Sequence, residues 1–280
     1  MPDAMRIGLT GASGTLGRRI HAELEARGHQ VDAFAGDVTD SVAATAWASG
    51  QETVIHSAAM VPVGDVVADT ARAIAVNVGG SVTIARAVAK AGARMVQIST
   101  SHVYRPSDEA LAEDTSRAPA SDYGLTKLHA EHWVKRILPD AAILRLFSFF
   151  DSQQAASYVV PALAARIEAA EFGAELDLHG AQSVRDIADA AWLAARVVDA
   201  LEAKVSGPLN ICTGSGVKIE TLARKLSKAF GRSDIKFVPV EGEANTLVGD
   251  TARYEGEVGT VADFDLDAAL TRFMAERGSA

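Results

Sequence analysis

The chain has 280 residues, 48% of them hydrophobic, which allows a sizeable core in one large domain or two small ones. Its formal net charge of -9 disfavours nonspecific nucleic-acid binding, which needs a basic patch to neutralise phosphates. A single cysteine, Cys212, excludes an intrachain disulfide and a multi-cysteine metal site, and no apolar stretch reaches the ~20 residues that would span a bilayer.

In chain order, Arg6 to Thr10 predicts a buried strand that runs into Thr10-Gly11-Ala12-Ser13-Gly14-Thr15-Leu16-Gly17 and then a helix from Leu16 to Arg27. Glycines there permit a tight turn and close backbone approach, and the free N–H groups and dipole of a helix start suit a pyrophosphate. Packing alone is the competing explanation for such a turn. Met5 leads straight into this strand without a signal-peptide pattern, so the cytoplasm is the expected compartment. A second strand is predicted at Val31 to Phe34, and the short stretch between Gly28 and Thr53 implies that the sheet lacks one strand. Further strands follow at Thr53 to His56, Arg94 to Ser99 and Ala141 to Leu146, with helices at Asp69 to Ala91 and Tyr123 to Leu138.

Continuous apolar strands alternating with amphipathic helices define an α/β chain with a doubly wound parallel sheet. Beyond Asp151 the pattern predicts a helix at Val159 to Ala170, a strand at Leu176 to Leu178, a helix at Ile187 to Glu202 and a strand at Leu209 to Ile211. Residues 1–150 are read as the dinucleotide-binding unit and 151–280 as a smaller, mainly substrate-binding region, with the helix near 187–202 returning to the first. No flexible linker separates them, so the expected active site is the cleft between them.

Tyr123 and Lys127 lie four residues apart at the start of a helix, which stacks them on one face. A phenol titrates near ~10, and a neighbouring ammonium favours its ionised form, which makes Tyr123 a usable acid/base. The strand from Arg94 ends in Ser99-Thr100-Ser101-His102, placing hydroxyls at the carboxyl end of a strand, where ligands of doubly wound sheets bind. His102 reads either as a substrate-facing acid/base or as a pocket wall. Arg185 reads either as a phosphate clamp or as half of a helix-entry ion pair with Asp186.

These motifs, in this order, make the chain resemble the extended short-chain dehydrogenase/reductases over nearly its whole length. Within that family it is most similar to the dTDP-4-dehydrorhamnose reductase-like enzymes that act on nucleotide-activated sugars. The resemblance implies a Rossmann-like fold with a smaller C-terminal substrate-binding region. It implies Thr100, Tyr123 and Lys127 as the catalytic set. It also implies cofactor contacts from Gly11, Ser13, Gly14, Thr15, Leu16, Asp37, Val38, Ser57, Ala58, Ala59, Asn77, Ser99, Tyr123, Lys127 and Phe147. Met60, Ser101, His102, Ser148 and Arg185 are the implied substrate contacts, and no metal is implied. The cofactor is NADP or NAD, leaning to NADP because Ala35 stands where an acidic residue would grip the ribose.

The implied reaction is NAD(P)H-dependent reduction of a 4-keto-6-deoxysugar carried on a nucleotide. Three alternatives stay open: an NAD-retaining sugar epimerase, a dehydrogenase of a smaller carbonyl or alcohol, and a redox-sensing binding module. Ser101-His102 stands where sugar-nucleotide dehydratases carry an Asp-Glu pair, which argues against water elimination. The long Ala-rich helices around 69–91 and 123–138 predict a homodimer through a four-helix bundle.

Overall fold

A computed structural model describes residues 4–61 and 63–278. The chain opens with β1 (Arg6–Thr10), α1 (Thr15–Ala26), β2 (Gln30–Phe34), α2 (Ser41–Ala48) and β3 (Thr53–His56). Next come α3 (Val63–Ala68), α4 (Thr70–Ile74), a π-helical turn at Ala75–Gly80, α5 (Ser81–Ala91), β4 (Arg94–Thr100) and a short 3-10 turn at Ser101–Val103. After α6 (Asp122–Ile137), β5 (Ala142–Leu146) completes this half.

The C-terminal half begins with β6 (Ser148–Phe150), α7 (Val159–Ala169), β7 (Glu175–His179), β8 (Val184–Asp189), α8 (Ala190–Glu202) and β9 (Gly207–Ile211). It continues through β10 (Gly216–Lys218), α9 (Ile219–Ala229), β11 (Lys236–Val240), β12 (Thr246–Leu247), α10 (Ala252–Glu257) and α11 (Leu266–Arg277).

The main sheet has the order β2-β1-β3-β4-β5-β9, and every pairing in it is parallel. The winding direction reverses between β1 and β3, so the carboxyl ends of these strands open a crevice at a topological switch point. Strands β3 and β5 are buried at every position, as helices on both faces of a parallel sheet require. β2 is the edge, and among the described residues no strand lies outside it. The short segment after β2 forms α2 instead, with the Asp40 side chain capping its first turn.

One apolar layer packs α1 and α8 against the sheet through Ile20, Leu24, Val197 and Leu201. The opposite layer seats α2 and α5 through Ala44, Ala48, Ile84 and Val88. A separate core joins α7, α9 and α11 with β7 and β11, which pair with each other in parallel. The smaller region is thus built from discontinuous pieces, while α8 and β9 belong to the main sheet's layers.

Two expectations are corrected. The continuous helix predicted over Asp69 to Ala91 is interrupted by the π turn, where Val76-Asn77-Val78-Gly79-Gly80 carries β-branched residues and two glycines that weaken regular α-helix. The helix predicted from Ile187 starts at Ala190. Its first residues form β8, which pairs with β6, β10 and β12 and gains more from those ladders than from helix. Asp189 then caps α8 by accepting from the Trp192 N–H.

Candidate active site

The glycine turn is shaped by what it excludes. Gly11 has φ +71, and a Cβ there would lie 2.7 Å from the Ala58 nitrogen. A Cβ on Gly17 would lie 2.0 Å from the Gly11 carbonyl oxygen, so α1 can start this close to β1 only without one. Gly14 is the N-cap and offers no side-chain hydrogen bond, which leaves the opening N–H groups of α1, those of Thr15 and Leu16 among them, without an intrahelical partner. Ser13 and Gly14 are exposed beside that end, whereas the Leu16 side chain is in the core. A narrow, backbone-lined cradle at a helix N-terminus fits the diphosphate of a dinucleotide.

Thr10 and His56, at the ends of β1 and β3, lock the floor of the crevice. The Thr10 hydroxyl oxygen accepts from the Ala58 N–H at 3.2 Å and is hydrogen-bonded to His56 Nδ1 at 2.7 Å. The buried His56 Nε2 has no partner among the described residues. Burial, reinforced by the charge of Lys127, pushes the His56 pKa down to about 3, so the ring is neutral. Ser57, Ala58 and Ala59 follow, half-buried along the crevice. Asp37 is exposed and accepts from the Thr39 N–H and hydroxyl, both at 2.8 Å, whereas the Val38 side chain joins the core.

Asn77 sits in the π turn with 1% exposure and spends its amide on the protein. Its Oδ1 accepts from the Met60 N–H at 2.7 Å, and its Nδ2 donates to the Met60 carbonyl and the Thr126 hydroxyl, both at 3.0 Å. Thr126 in turn donates to the Tyr123 carbonyl at 2.8 Å. The turn thereby ties the segment after β3 to the opening of α6.

Ser121 caps α6, and Gly124 brings the helix against the 3-10 turn: a Cβ there would lie 2.3 Å from the His102 carbonyl oxygen. This approach sets the Thr100 hydroxyl beside the Tyr123 phenol, while the Thr100 oxygen accepts from the His102 N–H at 3.2 Å. Loss of solvation pushes the Tyr123 phenol up, helped by nearby Tyr158 and opposed by Thr100. Lys127, 2% exposed, is brought down to about 8 by burial, with Glu131 opposing the shift. The structure thus brings Thr100, Tyr123 and Lys127 together.

The His102 ring stands edge-on to Tyr123 at 5.9 Å. Burial and the charge of Arg185 lower its pKa, which keeps the ring neutral. Ser101 is buried in the 3-10 turn, and Ser148 is half-buried at the start of β6. Arg185 donates to the Val184 and Asn245 carbonyls, each at 2.8 Å, and among the described residues it pairs with no carboxylate. The ion pair with Asp186 does not form. Asp186 instead accepts from the Thr213 N–H and hydroxyl and the Gly214 N–H at 2.8 to 2.9 Å, and from Gly249 at 3.4 Å. Burial lowers the Arg185 pKa.

Two expected contacts are otherwise engaged. The Ser99 hydroxyl donates to Glu131 at 2.5 Å, and Phe147, 3% exposed, packs in a small core with Tyr104, Cys212 and Leu247. Sequence reasoning missed Glu131, Arg145, Gly124 and Thr126. The spacing Tyr123, Lys127, Glu131, one helical turn at a time, was the available signal for Glu131.

The fold and this constellation are of the extended short-chain dehydrogenase/reductase type. More particularly, the chain belongs to the RmlD substrate binding domain family, whose sequence pattern matches residues 5–244. It is 35% identical over 147 residues to the dTDP-4-dehydrorhamnose reductase of Mycolicibacterium smegmatis, a stretch covering 51% of this chain and 45% of that one. The chain spans about half the length of the curated reductases it matches. The UDP-glucose 4-epimerase of Rhizobium meliloti is 30% identical over 249 residues, 78% of this chain and 74% of that one. RMD from Pseudomonas aeruginosa, solved with NADPH, superposes with a TM-score of 0.88 at 21% identity, covering 99% of each chain. Bordetella bronchiseptica WbmG, solved with NAD, gives 0.85 at 25% identity, covering 99% of this chain and 95% of that one.

Proposed function

We propose that the protein reduces the keto group of a nucleotide-activated 4-keto-6-deoxysugar with NAD(P)H. The reading rests on one observation: the Tyr123 phenol, beside Thr100 and one helical turn from a buried Lys127, stands edge-on to His102, and His102 feels the charge of Arg185, which pairs with no carboxylate among the described residues. An unpaired, half-buried guanidinium is costly without an anion, and a nucleotide diphosphate supplies one.

When bound, the nicotinamide supplies the hydride. Tyr123 donates the proton to the developing alkoxide, Thr100 orients the carbonyl, and Lys127 holds the ribose and stabilises the phenolate left behind. In this reading residues 1–150 carry the cofactor and 151–280 mainly the sugar nucleotide. Ala35, which offers no carboxylate to a ribose hydroxyl, favours NADP. Exposed Ile74, Leu125 and Trp133, on α4 and α6, favour a homodimer through these helices, read out by light scattering. The cytoplasm is the proposed compartment.

A second reading is supported by the longer match to the Rhizobium epimerase: oxidation and re-reduction of one sugar carbon with NAD retained. Calorimetric titration with NADPH and NADH, then with dTDP and UDP on the cofactor complex, tests both. Nucleotide binding with stoichiometric NAD(P)H consumption supports the reductase. Protein that purifies with bound NAD and turns over without added cofactor supports the epimerase. No nucleotide binding overturns both and moves the search to smaller carbonyl compounds. Tyr123→Phe is expected to lower turnover by about 100-fold or more while leaving cofactor affinity nearly unchanged.

A further inference from the structure

Lys127 is a buried cation one helical turn from a buried carboxylate that a second cation, Arg145, already holds. Glu131 follows it by one helical turn, is 3% exposed, and is the group that favours the Lys127 ammonium. Yet both Glu131 oxygens are taken by Arg145, whose Nη2 donates to Oε2 at 2.8 Å and whose Nε reaches Oε1 and Oε2 at 3.1 and 3.3 Å. Ser99 adds its short bond to Oε1.

Arg145 has no exposed surface and is held on its other side by the Tyr104 hydroxyl at 2.8 Å and the Glu113 carbonyl at 2.9 Å. Tyr104 donates onward to Asn210 Oδ1 at 2.7 Å, which fixes the ring that receives the guanidinium. The guanidinium therefore cannot swing away from the carboxylate without breaking a largely buried network.

The groups around Lys127 come from several elements. Glu131 and Tyr123 lie on its own helix, and neutral His56 reaches it from β3. Arg145 on β5 and Ser99 on β4 act on it through Glu131, and Tyr104 and Glu113 act on Arg145. With Lys127 protonated, the buried carboxylate that Arg145 holds also favours a second buried cation, and charges in such surroundings shift a pKa strongly.

We infer that Glu131 and Arg145 form a charge-dividing pair that sets how readily Lys127 holds its proton, Glu131 as the positioning residue and Arg145 as the competitor for its charge. The inference rests on Lys127 being a working group of the proposed reaction. It gives the two partners effects of opposite sign. Without the carboxylate, Lys127 faces Arg145 alone and releases its proton more easily. Without the guanidinium, the carboxylate turns to Lys127 and the proton is held more tightly.

The test is an NMR titration of the full-length, ligand-free protein labelled with 13C-lysine, with the Lys127 resonance assigned through Lys127→Arg. Glu131→Gln is expected to lower the Lys127 midpoint by about one pH unit, and Arg145→Met to raise it by a similar amount. Glu131→Asp is expected to restore most of the wild-type midpoint.

Both charge-removing variants break a buried pair and risk unfolding. Ser99→Ala keeps both charges and carries the test in that case, with a smaller upward shift as the carboxylate loses its shortest hydrogen bond. Unmoved midpoints, or shifts of the same sign in Glu131→Gln and Arg145→Met, overturn the inference, because a purely structural pair changes stability without dividing the two signs. The titration uses neither cofactor nor sugar. A failed reductase assay therefore leaves it standing, and a failed titration leaves the reductase reading standing.

Discussion

The crevice at the glycine turn and the cleft wall at β8 handle polar groups in contrasting ways. At the turn, binding groups are backbone N–H donors exposed by the absence of side chains, and Gly11, Gly14 and Gly17 do their work by lacking a Cβ. At β8, two adjacent charged residues have opposite fates. Asp186 is buried and saturated by donors from Thr213, Gly214 and Gly249, while Arg185, near His102, meets backbone carbonyls and no carboxylate among the described residues. Spacing alone specifies the first kind of site. The second depends on which loop folds over which residue.

The sharpest way to break the contrast is Gly17→Ala. A methyl 2.0 Å from a backbone oxygen has nowhere to go, so α1 must move off β1. The expected cost is about 3 kcal/mol in stability by urea unfolding, with dinucleotide binding lost in the same variant. Wild-type affinity would show that the turn is not the cradle.

At β8 the paired substitutions should separate. Asp186→Ala strips a buried acceptor from the Thr213, Gly214 and Gly249 donors and is expected to cost about 2 kcal/mol. Arg185→Met, which removes no ion pair, should leave the melting temperature within about 2 °C and weaken nucleotide binding at least about 10-fold. Equal destabilisation by both would erase the distinction drawn between them.

A change confined to pH dependence lies at His56. Its folded pKa of about 3 is below the unfolded value near ~6.5, so the folded state refuses a proton that the unfolded chain accepts. The stability associated with neutral His56 is complete above pH ~6.5 and is lost as pH falls from there toward 3. Thermal unfolding at pH 7 and pH 5 should show a smaller acid-induced drop in His56→Gln than in wild type, by roughly 2 kcal/mol. An identical drop would mean that His56 is protonated without penalty.

This division also explains what the sequence made legible. The parallel sheet, the glycine turn and the Tyr123–Lys127 face follow from local periodicity and spacing, and the structure has each of them. The strands β6, β8, β10 and β12 were not legible, because they are only two to six residues long and are stabilised by partners distant in sequence. The Glu131–Arg145 pair was hidden for a related reason: it joins a helix to a strand, and only the crossing of α6 over β5 brings the charges within 2.8 Å. Gly124 resembled a routine helix residue until its neighbour across space, the His102 carbonyl, was known.

The π turn at Ala75–Gly80 acts as a phase shifter. A π turn holds one residue more than an α turn, so it rotates everything on its N-terminal side by roughly 100° relative to a regular helix. Asn77 owes its inward aim at Met60 and Thr126 to that slip, and the faces of α4 and α5 answer to different neighbours because of it. Length at this point is therefore as informative as composition. Deleting a single residue between 75 and 80 would leave the helix intact by circular dichroism while turning the asparagine away from both partners, freeing the segment after β3 from the helix that carries Tyr123.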